Sequence, residues 1–184
     1  MATESFGPSA LATPANALTV ARLAATPVLL ALVLRDPRSW TTLACWIVLA
    51  STDGVDGYLA RRHGTTRSGA FLDPLADKFL VIGAMAALVV EDVFWWLPVL
   101  LIAAREVAIS AYRMVVGRQG VSVPARSGAK VKTVVQDFAV GFALLPLDAV
   151  PSSVADVLLW AGVVLALVTG AQYLLDNRAA ADAV

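Results

Sequence analysis

Six long apolar stretches follow one another along this chain, and they constrain its fold more than any other feature. They cover about residues 17–34, 41–60, 71–90, 93–116, 131–147 and 154–175. A helix of about 20 residues is about 30 Å long, which matches the hydrocarbon thickness of a bilayer. Because 59% of the 184 residues are hydrophobic and 15% are charged, a soluble domain of this size could not bury the apolar surface. The sequence therefore predicts an all-α integral membrane protein with six transmembrane helices.

The same pattern predicts a single domain. We expect a six-helix catalytic domain over residues 16–178, a mobile or interfacial tail at 1–15 and a short tail at 179–184. The formal net charge is zero, which argues against a broadly basic protein that binds nucleic acid. No secretory signal is evident at the start, so we expect the first span to direct insertion.

Four carboxylates stand in the second and third stretches. Asp53 and Asp56 are spaced i,i+3, and Asp73 and Asp77 are spaced i,i+4, so on helices each pair shares one face. If the two segments fold back on each other around residue 65, the four acids reach nearly the same depth. Four carboxylates this close together repel one another unless cations lie between them. Carboxylate oxygens are preferred ligands of Mg²⁺ and Mn²⁺. We therefore predict a site for two divalent ions.

The distribution of basic residues predicts the orientation. With a cytoplasmic N-terminus, the cytoplasmic loops and helix ends hold nine Lys and Arg residues, whereas the opposite side holds only Arg35 and Arg38. This asymmetry follows the positive-inside rule. We expect a plasma-membrane protein whose four aspartates open toward the cytoplasm, where soluble substrates are found.

Further ionisable residues interrupt the apolar stretches, namely Arg22, Lys78, Arg105, Glu106 and Arg113. Each costs about 2.5 to 3.5 kcal/mol at mid-helix, so each is a functional candidate. Glu106 and an arginine could neutralise each other as a structural pair. Alternatively, we expect a cationic pocket for a phosphate group, formed by Arg105, Arg113, Lys130 and Lys132. Glu106 would then hold an arginine in place.

The segment from Asp53 to Asp77 resembles a known signature. Asp53-x2-Asp56-Gly57-x2-Ala60-Arg61, followed by Gly69-x3-Asp73-x3-Asp77, is similar to the motif of the CDP-alcohol phosphatidyltransferases, integral membrane enzymes of phospholipid synthesis. Seven residues separate Arg61 from Gly69, where the family usually has eight, so the loop between the helices is shorter here. The resemblance implies the family's helical bundle, and family members are commonly homodimers.

The resemblance also implies a reaction, in which CDP-diacylglycerol gives its phosphatidyl group to an alcohol and CMP leaves. Asp53 and Asp73 would bridge two Mg²⁺ or Mn²⁺ ions, and Asp56 would bind the ion on the nucleotide side. Asp77 would bind the other ion and deprotonate the acceptor hydroxyl. The resemblance further implies seven residues that would bind CDP-diacylglycerol, namely Asn16, Thr19, Arg22, Gly57, Arg61, Arg67 and Gly69.

The acceptor is indicated by two further stretches. Residues 105–113 and 128–133 resemble those of family members whose acceptor is glycerol 3-phosphate, and this likeness extends from Asn16 to about Leu175. Cardiolipin synthases and phosphatidylinositol phosphate synthases of the same family remain alternatives with other acceptors. A membrane transporter for ions or metals is an alternative of another class. It is disfavoured because the acids share one hairpin and no internal repeat is visible.

Overall fold

The structure is a computed structural model. It describes the backbone of residues 14–63, 67–118, 127–147 and 150–181, and the side chains of residues 16–52, 75–114, 131–147, 150–173 and 175. Within these ranges the chain forms six α-helices and no strand. The helices are α1 (Pro14–Arg35), α2 (Trp40–His63), α3 (Arg67–Val90), α4 (Trp96–Arg118), α5 (Ser127–Ala143) and α6 (Ser153–Ala181). The predicted all-α architecture is confirmed, and the predicted tail at 1–15 lies almost entirely outside the described residues.

The turn between α3 and α4 differs from the prediction, which began the fourth stretch at residue 93. Asp92 has a φ of 54°, in the left-handed region. The N–H groups of Val93 and Phe94 both bond to the carbonyl oxygen of Leu88, at 2.9 and 3.1 Å. A left-handed residue followed by such bonds to the last helical turn is a common way to end a helix. As a result α4 begins only at Trp96, and Phe94 is buried in the core.

Helix α5 has the predicted length but lies four residues earlier in the chain, because it begins at Ser127 and ends at Ala143 while the apolar stretch continues to residue 147. Pro146 explains the difference. A proline disfavours the helical conformation in the residue before it and has no N–H group to bond back to the helix. The apolar residues after Ala143 therefore belong to a connection, in which Leu144 is still fully buried.

The helices pack in an order that the sequence does not indicate. Helix α1 packs against both α2 and α3, α4 packs against α6 and α3, and α5 packs against α6. The core contains side chains with no exposed surface, among them Leu29, Val33, Ala84, Leu88 and Val140. Helix α1 therefore supports the two helices that carry the aspartate motif.

The outer surface is strongly apolar. Every helix exposes large hydrophobic side chains, for example Val28, Val48, Phe79, Val107, Phe138 and Val157. Large exposed apolar surfaces are typical of proteins whose surroundings are lipid or another protein. Within the described residues two helical segments are long and apolar enough to cross a membrane, Asn16–Arg35 and Ser153–Tyr173. The prediction of six transmembrane helices goes beyond these two clear spans.

Candidate active site

The helix bounds place the four aspartates on two helices, as predicted. Helix α2 contains Asp53 and Asp56, and α3 contains Asp73 and Asp77. The i,i+3 and i,i+4 spacings therefore fall on helical backbone, where each pair shares a face. Among the described side chains no group of three or more His, Cys, Asp or Glu is placed to hold a metal ion. Three of the four predicted ligands, all except Asp77, have side chains outside that range, so the metal site stays a prediction.

The predicted residues for the nucleotide fall into two groups. The side chains of Arg61 and Arg67, and the surroundings of Gly57 and Gly69, lie outside the described residues. The other group lies on α1 and is described: Asn16, Thr19 and Arg22 are all buried.

Arg22 connects α1 to the start of the aspartate motif. Its Nε donates a hydrogen bond to Oγ1 of Thr52, at 3.0 Å. Thr52 directly precedes Asp53 on α2. Because Asn16, Thr19 and Arg22 recur every three residues, they lie on neighbouring positions of one helix face. The structure thus brings the polar face of α1 into the protein interior beside the first aspartate, although the sequence offers no signal for the role of Thr52.

Lys78 connects the end of the aspartate motif to α4. It follows Asp77 directly, and its side chain is 30% exposed. Its Nζ donates a hydrogen bond to Oγ of Ser110 and lies 3.6 Å from Oε2 of Glu106. The Ser110 hydroxyl in turn donates to the carbonyl oxygen of Glu106, at 2.6 Å. The sequence marks Lys78 as an ionisable residue in an apolar stretch, but its position alone assigns it no role.

Glu106 is the centre of a cluster of charges from three helices. Its Oε1 accepts hydrogen bonds from Nη1 of Arg105, at 2.7 Å, and from Nζ of Lys132. Only 7% of the side-chain surface of Glu106 and of Lys132 is exposed. With Lys78 included, three cations surround one carboxylate, so the cluster carries an excess of two positive charges. A buried charge destabilises a protein unless an opposite charge lies beside it. Glu106 supplies this opposite charge for Arg105 and Lys132.

Arg105 is held by protein acceptors through all three guanidinium nitrogens. Besides the bond from Nη1 to Glu106, its Nε donates to the carbonyl oxygen of Ala166 at 2.9 Å, and Nη2 donates to Oγ1 of Thr169 at 3.1 Å. A Cβ atom at Gly170 would lie 3.1 Å from Nε of Arg105, so a glycine leaves room for the guanidinium. Arg105 therefore joins α4 to α6.

Of the four residues predicted to bind the acceptor phosphate, the structure shows two in contact with the same carboxylate. Arg105 and Lys132 meet at Glu106, whereas the side chain of Lys130 lies outside the described residues. Arg113 is exposed, and its guanidinium carbon lies 6.0 Å from the centroid of the Tyr173 ring, as in a cation–π contact. Seven residues separate it from Glu106, which corresponds to about 10 Å along α4.

An apolar groove runs between α2 and α5. Its volume is about 470 Å³, and its walls include Trp46, Ala50, Phe138 and Gly141. Ser51, near the aspartate motif, also lines it. This volume lies within the range of ligand-binding pockets.

These features define a helical, membrane-type protein with an aspartate motif on two helices and a buried surplus of cations beside it, as expected of an enzyme that acts on phosphate groups. A family model described as CDP-alcohol phosphatidyltransferase matches residues 12–168, and the chain belongs to this family. It is accordingly an enzyme of the CDP-alcohol phosphatidyltransferase class. The family and the two apolar spans agree with a membrane location.

Several named relatives are similar to this chain over most of their length. A probable phosphatidylglycerophosphate synthase from Mycobacterium tuberculosis (strain ATCC 25618 / H37Rv) is 40% identical over 174 residues, which is 91% of this chain and 82% of the relative. A CDP-diacylglycerol--glycerol-3-phosphate 3-phosphatidyltransferase from Bacillus subtilis (strain 168) is 35% identical over 181 residues, which is 88% of this chain and 93% of the relative. A protein of the same name from Rickettsia bellii (strain RML369-C) is 38% identical over 167 residues, which is 86% of this chain and 91% of the relative.

Proposed function

We propose that this protein transfers the phosphatidyl group of CDP-diacylglycerol to sn-glycerol 3-phosphate, giving phosphatidylglycerophosphate and CMP. The relatives from Bacillus subtilis and Rickettsia bellii carry the name of this activity and align with most of the chain. The structural observation that carries the proposal is the surplus of positive charge around Glu106, where one of the cations, Lys78, directly follows Asp77 on α3. A phosphorylated acceptor carries the charge that such a cluster attracts.

Other acceptors of the same family are the second candidate. Inositol phosphate would also satisfy the cations around Glu106, and phosphatidylglycerol would be the acceptor of a cardiolipin synthase. The names of the relatives favour glycerol 3-phosphate over both. The alternative of a transporter is wrong, because the family is one of phosphatidyltransferases.

We further propose that Asp53, Asp56, Asp73 and Asp77 hold two divalent ions, Mg²⁺ or Mn²⁺. The family uses divalent metal ions. The donor set fits, because carboxylate oxygens are what these ions prefer and both pairs lie on helical backbone with the required spacing. When bound, the ions neutralise the diphosphate and polarise the reacting oxygens.

The chain's own residues would then perform the transfer as follows. The Asp77 carboxylate takes the proton of the acceptor hydroxyl while that oxygen attacks the β-phosphorus of the donor. The bond from this phosphorus to the oxygen of CMP breaks, and its electron pair leaves with CMP. A free alcohol is too weak an acid to be ionised beforehand by a carboxylate, so proton transfer and attack are concerted. Asn16, Thr19, Arg22, Gly57, Arg61, Arg67 and Gly69 would orient the CDP part of the donor.

The groove between α2 and α5 suits the acyl chains of the donor. It is apolar, and its lining residue Ser51 is two positions from Asp53. We expect Gly141→Leu, which fills this groove, to raise the KM for CDP-diacylglycerol while the KM for the acceptor stays the same. Gly141→Ala is the matched control, because a Cβ there would make an ordinary contact of 3.5 Å with Nε1 of Trp46. An unchanged donor KM in Gly141→Leu would exclude the groove as an acyl site.

The proposal includes an arrangement in the membrane. All six helices would span the plasma membrane, with the N-terminus and the active site on the cytoplasmic side, as the distribution of basic residues predicts. A ring cluster of Trp95, Trp96 and Trp160 supports this arrangement, because tryptophan favours the membrane interface. Trp96 begins α4, so this interface would be the one opposite the cytoplasm. We expect a homodimer from the family resemblance.

The proposed function is tested with the purified protein in detergent and CDP-diacylglycerol. The acceptors are glycerol 3-phosphate, inositol phosphate, phosphatidylglycerol and serine, and both CMP release and the lipid product are measured. We expect rapid CMP release only with glycerol 3-phosphate, its loss with a chelator, and its return with Mg²⁺ or Mn²⁺. Faster turnover with another acceptor would reassign the substrate. Undiminished turnover in metal-free buffer would contradict the ion site.

A further inference from the structure

The cations around Glu106 differ in how far the protein already engages them. Arg105 donates from all three guanidinium nitrogens to Glu106, Ala166 and Thr169. Lys132 is bound to Glu106, and only 7% of its side-chain surface is exposed. Lys78 is 30% exposed and keeps a distance of 3.6 Å from the carboxylate. Lys78 is therefore the member of the cluster that a soluble ligand can reach.

Releasing Lys78 from Glu106 would leave no buried charge unpaired. The carboxylate keeps Arg105 at 2.7 Å and the ammonium group of Lys132 on its Oε1, whereas Lys78 approaches the other oxygen, Oε2. The alternative, withdrawing Lys132, would leave a buried ammonium group without a counter-ion, which is far more costly. The cluster thus contains one exchangeable cation and two permanent ones.

The charge and position of Lys78 suit an incoming phosphate. Lys132 shares the carboxylate of Glu106 with Lys78, so an anion beside Lys78 would be attracted by more than one cation. The cluster has an excess of two positive charges, and a phosphate monoester carries about −1.5 to −2 at pH 7. Lys78 follows Asp77, and consecutive Cα atoms are about 3.8 Å apart. A group bound by Lys78 therefore lies between α3 and α4, at the turn of α3 that carries the proposed base.

From this geometry we propose that Lys78 binds the phosphate group of the acceptor, and that Glu106 and Ser110 hold its ammonium group in place when the acceptor is absent. This role deepens the proposed function and rests on it. Glu106 is then a positioning residue, since it orders the three cations and does not touch the substrate. Arg105, predicted from its charge to bind the phosphate, also becomes a positioning residue.

The first test is a comparison of KM values from CMP release in Lys78→Gln, Lys78→Arg and the wild type. We expect Lys78→Gln to raise the acceptor KM about 10- to 100-fold, the loss typical of a hydrogen bond to a charged group. The donor KM should stay within about twofold, and Lys78→Arg should recover part of the loss because it keeps the charge. An unchanged acceptor KM, or equal rises in both KM values, would overturn the assignment. Ser110→Ala is a control that removes a partner of Lys78 but keeps the cation.

The second test does not depend on turnover and separates this proposal from the proposed function. The midpoint of thermal unfolding is measured with inorganic phosphate and with glycerol 3-phosphate. Both should stabilise the wild type and Lys78→Arg, but not Lys78→Gln. If the wild type used another acceptor and this pattern held, the proposed function would fail and the Lys78 site would stand. Equal stabilisation of wild type and Lys78→Gln by both anions would refute the site, even with turnover of glycerol 3-phosphate.

Discussion

Replacing Glu106 by glutamine removes the one acidic group of the charge cluster and keeps its shape. In the wild type Oε1 of Glu106 accepts from Arg105 and Lys132, and Oε2 lies 3.6 Å from Lys78. Glutamine retains one oxygen acceptor but no charge. The two most buried cations of this cluster, Arg105 and Lys132, would then lose the carboxylate that they share.

The size of the effect follows from this burial. Removing one partner of a buried ion pair typically costs about 3 to 5 kcal/mol. We use the lower value, about 3 kcal/mol, because the glutamine oxygen still accepts a hydrogen bond. For a chain of this length each kcal/mol shifts the unfolding midpoint by about 2 to 4 °C, so we expect a decrease of about 6 to 12 °C.

The assay is thermal unfolding of the purified protein in detergent, monitored by the fluorescence of its five tryptophans. Lys132→Met is the informative partner variant. It leaves Glu106 with Arg105 and Lys78, so no buried charge is orphaned and the decrease should be smaller than for Glu106→Gln. Ser110→Ala is the control that removes no charged group; the lost hydrogen bonds, one of them from the Lys78 ammonium group, should cost about 1.5 kcal/mol.

The order of these variants decides whether the reasoning is correct. If Lys132→Met were as damaging as Glu106→Gln or more so, Glu106 would not be the shared counter-ion. A decrease of less than about 2 °C in Glu106→Gln would show that the cations are solvated and that the pairing contributes little to stability.

Three other substitutions test separate parts of the molecule. Asp77→Asn should leave the protein folded, by gel filtration, and reduce CMP release about 100-fold or more, whereas a wild-type rate would contradict its role as the base. Arg113→Ala should raise the acceptor KM more than the donor KM if Arg113 helps to bind the acceptor phosphate, and the reverse pattern would assign it to the nucleotide. The Nε2 donor of Gln136 is buried and has no hydrogen-bond partner among the described residues. Gln136→Met should therefore raise the unfolding midpoint by about 2 to 4 °C. A decrease would show that this amide does make a hydrogen bond, for example to water.

Much of the fold was predictable because the signals are local. The length of each apolar stretch predicts a helix, and the helical repeat alone places Asp53 beside Asp56 and Asp73 beside Asp77. Pro146 shows that a local signal can also be missed, because the apolar residues after Ala143 concealed the end of α5. Asp92 carried no clear signal, since aspartate is less common than glycine in the left-handed conformation.

The partners of the charged residues could not be derived in this way. Glu106 lies next to Arg105 in the sequence, but Lys132 is 26 residues and Lys78 is 28 residues away. Whether such groups meet depends on which faces of α3, α4 and α5 are turned inward, and the hydrophobic pattern of helices exposed to apolar surroundings does not specify these faces. From the sequence, Arg105, Arg113, Lys130 and Lys132 could be grouped only by their charge, whereas the structure shows that Arg105 and Lys132 meet at Glu106.

The sequence by itself determined the helical class, the family and the positions of the aspartates, because these depend on composition, on spacing within one helix and on a contiguous motif. Only the tertiary structure decided that α1 packs against both motif helices, that Arg22 reaches Thr52, and that one buried carboxylate collects three cations. These are contacts between helices. A charge in an apolar interior is stable only beside an opposite charge, and the packing of the helices decides which opposite charge is close enough.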